Sequence, residues 1–176
     1  MPMNGPMTRP LVDTLIEEPG WEGLDLPTLA ERAARAVLAD QEMVAADWEI
    51  SLLACNDVRI AALNGEFRGK PQPTNVLSWP AQDLASDEEG GEPWFAEPVE
   101  AGAGEGLGDI AIALETCTRE AGDEGKPLAD HLTHLIVHAV LHLLGYDHIR
   151  DGDATLMEET EARILAGLGI ANPYEA

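Results

Sequence analysis

Three of the chain's five histidines are spaced His138-x-x-x-His142-x-x-Gly145-x-x-His148. A helix turns once in about 3.6 residues, so His138 and His142 fall on one face, roughly 6 Å apart. Gly145 is placed to end that helix, because glycine enters left-handed backbone at little steric cost. The chain can then swing back and bring His148 to the same point. Three imidazoles with an open fourth position describe a catalytic zinc site. Structural zinc sites usually close all four positions, most often with cysteine.

The spacing also matches the long zinc signature of the metzincin proteases. In those enzymes the residue after the first histidine is a glutamate that serves as general base. Here it is Ala139, which can neither take nor give a proton. The metal-binding half of the motif is present and the peptidase half is absent. Zinc by itself still lowers the pKa of water from about 15.7 towards 7. The bland alternative is a histidine-rich core helix without metal. A lone histidine on an apolar helix is usually a satisfied core residue. Three at these offsets, around a glycine, weigh towards a transition metal.

The helix that carries them is legible over residues 127–144. His131, His134, His138 and His142 share about 80° of arc at 100° per residue. Leu135, Ile136, Val137, Val140, Leu141, Leu143 and Leu144 cover most of the remainder. The pattern predicts a central, largely buried helix with its polar stripe facing a cleft. His131 is expected in the cleft lining. His134 is expected to touch substrate or to steady a ligand, with a plain hydrogen bond equally weighted for both. Asp147 either orients a ligand imidazole through its other nitrogen or simply makes the turn.

The remaining elements form one α+β domain, a small mixed sheet packed with about five helices, with the zinc site at the end of the histidine helix. Residues 10–18, 48–54, 76–79 and 107–114 have strand character. Helices are expected over 27–41, 57–63 (capped by Asn56), 114–123 and 153–167, the last capped by Asp151 or Asp153. Residues 81–106 hold eight carboxylates, five glycines and no basic residue, and read as a long exposed loop.

Composition narrows the function classes. A chain of 176 residues suits one domain, 1–176, with a real core. No stretch approaches the roughly 20 apolar residues that span a bilayer. Residues 1–21 lack the basic-then-apolar pattern of a signal peptide. Cys55 and Cys117 have no CxxC neighbour and read as reduced residues of a cytoplasmic protein. Ten basic against thirty-three acidic residues give a net charge of −23. That charge opposes loose binding to nucleic acid or anionic membrane. It leaves room for a local cationic cleft that acts at short range.

Residues 63–80, LNGEFRGKPQPTNVLSWP, supply such a cluster: Arg68 and Lys70, with Arg59 nearby. An arginine there can hold a phosphate through its planar fork. From residue type alone, a solvated loop arginine is the favoured reading.

Taken together, VHAVLHLLGYDH at 137–148, LNGEFRGKPQPTNVLSWP at 63–80 and LGDIAIA at 107–113 resemble the YbeY family of bacterial endoribonucleases. The resemblance runs from about Trp48 to the C-terminus. The family signature His-Gly-x-Leu-His-Leu-x-Gly-Tyr-Asp-His is met at His138, Leu141, His142, Leu143, Gly145, Tyr146, Asp147 and His148. Ala139 stands where the family usually has glycine. The acidic insert is longer than usual, and residues 1–25 match little.

The resemblance implies one Zn2+ per chain on His138, His142 and His148, with Arg68 and His138 as catalytic residues. It also implies single-strand-specific RNA cleavage in 16S rRNA 3′-end maturation and late ribosome quality control. The partners would be single-stranded RNA, rRNA and the ribosome or its proteins, with no membrane and no DNA. The proton acceptor stays open between zinc-bound hydroxide, the RNA's own 2′-hydroxyl and His134. Two rival functions stand beside this one: a zinc hydrolase of another substrate class, and a non-catalytic zinc-containing ribosome-assembly factor.

Overall fold

The computed structural model describes residues 9–175. Residues 1–8, part of the segment without a signal-peptide pattern, lie outside the described residues. The order is β1 (Val12–Ile16), a 3-10 segment (Pro19–Leu24), α1 (Leu26–Asp40), a 3-10 turn (Ala45–Asp47), β2 (Trp48–Cys55), α2 (Asp57–Arg68), β3 (Val76–Pro80), β4 (Glu105–Ala113), α3 (Leu114–Glu124), α4 (Leu128–Leu143) and α5 (Asp151–Gly167).

The sheet has four strands in the order β1-β2-β4-β3. β1 and β4 flank β2 in parallel, and β3 runs antiparallel to β4. The sheet is therefore mixed. In β2, Trp48, Ile50, Leu52 and Ala54 are buried at alternate positions, as the two-residue period of a strand requires. They face one core with Ala30, Ala33, Ala34 and Val37 of α1 and with α4.

α4 is the hub of the fold. It packs on α1, β3, α3 and α5. Leu132, Ile136, Val137, Val140 and Leu141 of α4 are buried to 1% exposure or less. A helix held on this many sides has little freedom to shift. Its histidine side chains are accordingly carried on a stiff support.

α2 starts as expected, with Asn56 Oδ1 accepting from the Arg59 backbone N–H at 2.9 Å. It runs to Arg68 rather than stopping at residue 63, and Gly69, at φ 70°, closes it. Position 68 therefore belongs to a helix terminus and not to a free loop. The 3.6-residue pattern of this segment is weak, because only Ile60 and Asn64 are buried along it.

The acidic segment is irregular, as expected, but it is not simply an exposed loop. Leu84 and Ala96 enter the main core. Backbone groups tie it to the start of α5. The Gly90 N–H donates to Asp153 Oδ1 at 2.8 Å, and the Gly152 N–H to Glu89 Oε2 at 2.8 Å. Arg150 donates to the carbonyls of Ser86 and Asp87. Asp153 thus serves this segment and not the end of its own helix, which has Arg150 at the cap position and no side-chain cap bond. Among the described residues, no helix is long and apolar enough to cross a membrane.

Candidate metal centre

His138 and His142 lie on the last two turns of α4 and are half-buried. The helix stops where the Gly145 N–H donates to the His142 carbonyl and the Tyr146 N–H to the Leu141 carbonyl. Gly145 has φ 103°, a backbone that disfavours any side chain. The reversal brings His148 back over the helix end. One ring nitrogen from each of His138, His142 and His148 lies within 4.8 Å of the others. No other group of three metal-ligating side chains is this close among the described residues.

The geometry suits a metal ion. His138 Nε2 and His142 Nε2 face each other at 3.1 Å. Two imidazoles on a tetrahedral zinc, at about 2.0–2.1 Å each, would hold their nitrogens roughly 3.3 Å apart. Burial, followed by the neighbouring His138 and His148, pushes the His142 pKa down to about 4. Its ring is therefore neutral at pH 7, with a lone pair free to bind metal.

His138 is steadied from behind. Its Nδ1 lies 2.8 Å from Glu161 Oε1. Glu161, on α5, is fully buried. Burial opposes its charge, but hydrogen bonds from His134, His138 and Tyr174 outweigh that and hold its carboxyl down at about 2. An ionised carboxylate only accepts hydrogen bonds, so Nδ1 of His138 carries the proton and Nε2 is left free to bind. Tyr174 Oη donates to Glu161 Oε2 at 2.7 Å. Burial and the adjacent carboxylate raise the Tyr174 phenol, which keeps it a donor.

The three histidines open onto a cleft of about 870 Å³. Arg68, Lys70, Ser78, His134 and Tyr174 line it with them. Arg68 crosses from the end of α2 to β3, donating to the Ser78 carbonyl at 2.8 Å. Arg59 is directed elsewhere and pairs with Glu17 at 3.4 Å. The structure thus gathers Arg68, His138, His142 and His148 around one space.

Two readings left open by the sequence are decided, for a plain hydrogen bond at His131 and for the turn at Asp147. His131 does not line the cleft: it is buried against α3, with Nε2 3.0 Å from Glu120 Oε1. It sits near the start of α4, where α3 rather than the cleft covers the stripe. Asp147 does not hold a ligand ring. Its Oδ1 accepts from the His148 backbone N–H at 2.7 Å, which stiffens the turn instead.

Glu161 and Tyr174 were not anticipated. One signal was available for Glu161. Met157, Thr160, Ile164 and Leu165 mark the buried face of α5, and Glu161 sits among them. A carboxylate within an apolar stripe calls for a partner.

The fold and the site define a small α+β protein with a three-histidine metal-binding geometry at the floor of a cleft. The family model described as Endoribonuclease YbeY matches residues 22–169. An Endoribonuclease YbeY of Cereibacter sphaeroides is 58% identical over 166 residues, covering 94% of this chain and 99% of its own. One from Ruegeria pomeroyi is 61% identical over 163 residues, covering 93% of this chain and 97% of its own. The chain belongs to the YbeY family of endoribonucleases. A Thermotoga maritima protein solved in solution shares the fold, with a TM-score of 0.51 at 18% identity, covering 94% of this chain and 99% of its own. The family match starts at residue 22, so the resemblance reaches further towards the N-terminus than Trp48.

Proposed function

We propose that this protein is a zinc-dependent, single-strand-specific endoribonuclease that matures rRNA, with the 16S 3′ end as its target. The observation that carries the proposal is the convergence of three ring nitrogens within 4.8 Å, in a family of endoribonucleases. His138, His142 and His148 would hold one zinc ion per chain. When bound, zinc supplies Lewis-acid activation of water and of the phosphate.

The chain's own groups do the rest. Arg68 offsets the charge that builds on the phosphate, and its bond to the Ser78 carbonyl limits where the guanidinium can point. Lys70 adds a second cation to the same cleft. Ala139 lies under the ligands, buried at 1% exposure, and brings no proton acceptor. His134 lines the same cleft and is the chain's own candidate for proton acceptor there.

The whole chain acts as one domain in the cytoplasm, with late ribosome quality control as its setting. A net charge of −23 favours a second reading, a non-catalytic assembly factor that docks on basic ribosomal proteins. Incubating zinc-loaded protein with single-stranded RNA, beside a His138→Ala variant prepared identically, separates the two. Cleavage by the first alone supports the nuclease. No cleavage by either, with one equivalent of zinc bound, supports the assembly factor. Turnover of amide or ester substrates without RNA cleavage would point to a different hydrolase.

A further inference from the structure

We propose that Glu161, backed by Tyr174, is the positioning residue that sets the tautomer and aim of His138. The ligand set would then be held from α5 and from the C-terminal segment as well as from α4. The inference rests on the metal-binding role assigned above to His138.

Glu161 is 0% exposed. A carboxylate in that environment is costly unless its oxygens are bonded. No lysine or arginine reaches it among the described residues; the rings that approach its carboxylate are those of His134 and His138. Oε1 takes His138 Nδ1 at 2.8 Å and His134 Nε2 at 3.2 Å. Oε2 takes the Tyr174 hydroxyl at 2.7 Å. Every polar partner is therefore a cleft residue, and the apolar core gains nothing from the charge. An aliphatic side chain would pack this stripe of α5 more cheaply.

The geometry has a directional consequence. With Nδ1–H bonded to Glu161, rotation of the His138 imidazole about its Cβ–Cγ bond is restrained, and Nε2 is directed at His142. Tyr174 restrains the other oxygen and lies edge-on to His134, with ring centroids 5.7 Å apart. The path from Tyr174 through Glu161 to His138 joins the end of the chain to the metal centre. Carboxylates that hold a ligand histidine in this way typically affect metal affinity by about 10–100-fold.

The test uses the full chain and zinc itself, competed with a chromophoric chelator. Glu161→Gln keeps the shape and removes the charge. Tyr174→Phe removes only the hydroxyl. Glu161→Gln is expected to weaken zinc binding about 10-fold or more, and Tyr174→Phe less but in the same direction. Nitrogen-15 NMR of the metal-free protein should find His138 as the Nδ1–H tautomer, and should lose that preference in Glu161→Gln. Thermal melts of the metal-free variants report whether they are folded. If Glu161→Gln does not fold, Tyr174→Phe decides, since Tyr174 is 44% exposed and near the chain end. Zinc affinity unchanged in the folded variants would overturn the inference. Variants that show these affinity differences, beside a wild type that cleaves no RNA, would overturn the nuclease assignment and leave this inference standing.

Discussion

Gly145 presses against Leu84: a Cβ built on Gly145 would lie 2.7 Å from the Leu84 carbonyl carbon and oxygen. The stop of the histidine helix and the start of the acidic segment therefore occupy the same space. Gly145 also has φ 103°. Two independent constraints, backbone conformation and close approach, exclude a side chain there.

Gly145→Ala should accordingly lower stability by about 1–3 kcal/mol. It should also displace His148, which follows three residues later, and so weaken zinc binding. Urea unfolding and zinc titration of the same preparation check both effects. Normal stability with normal zinc affinity would show that the turn tolerates a side chain.

Arg68 is assigned to the phosphate and not to the metal. Arg68→Ala should reduce RNA cleavage by roughly 10²–10³-fold, the size expected for loss of one transition-state donor. Zinc content should not change. Arg68→Lys keeps the charge but loses the planar fork and the Nη2 bond to the Ser78 carbonyl, so it should restore only part of the rate. Cleavage assays paired with metal analysis decide. Parallel loss of zinc would refute the division of roles.

Zinc removal should act on stability as well as on cleavage. His138, His142 and His148 join the end of α4 to the turn that follows it, so zinc bound to the native state alone would raise its stability. Treatment with a chelator should lower the melting temperature of wild-type protein and abolish cleavage. It should leave the melting temperature of a His142→Ala variant almost unchanged. A variant that still shifted with chelator would place the metal elsewhere.

Asp40 and Arg163 pin α1 to α5 through two bonds of 2.8 Å. The Arg163 guanidinium holds the Asp40 carboxyl below its ordinary value, against the cost of partial burial, with a further bond from Gln41. A carboxyl with a depressed folded pKa adds stability above its unfolded value, about 3.9. That stability is lost as pH falls through the lower, folded value. Arg163 is more than half exposed, so the pair contributes only about 0.5–1 kcal/mol after solvent screening. Asp40→Asn should cost that much at pH 7, and wild type and variant should converge in acid below the carboxylate range. Denaturant melts across pH test this. A difference that persisted at low pH would locate the effect in packing.

Much of the site could be read from the chain alone, because its signals are local. His138, His142, Gly145 and His148 lie within eleven residues, and helix geometry converts that spacing directly into proximity. The strands at 48–54 and 107–114 were legible for the same reason, through short runs of buried residues. Ala139 in place of glutamate was enough to argue against a peptidase.

Other features depend on which elements meet. His131 shares the helical stripe of the ligands, yet α3 covers it with Glu120, and helical phase alone cannot reveal that neighbour. The acidic segment has no periodicity to read, and its attachment to α5 runs through backbone groups and Arg150. Arg68 could be suspected of holding phosphate, but its place opposite the histidines follows from β3 lying beside α4.

The three candidate ligands, their spacing and the family signature were set by the linear chain, since all lie within one helix and the turn that follows it. Tertiary structure alone decided what stands behind those ligands. Glu161 is 23 residues from His138, and Tyr174 is 13 beyond Glu161. Their contacts exist because α5 packs on α4 and the chain end folds back over both. Burial then makes the carboxylate seek those partners, a constraint that no local spacing encodes.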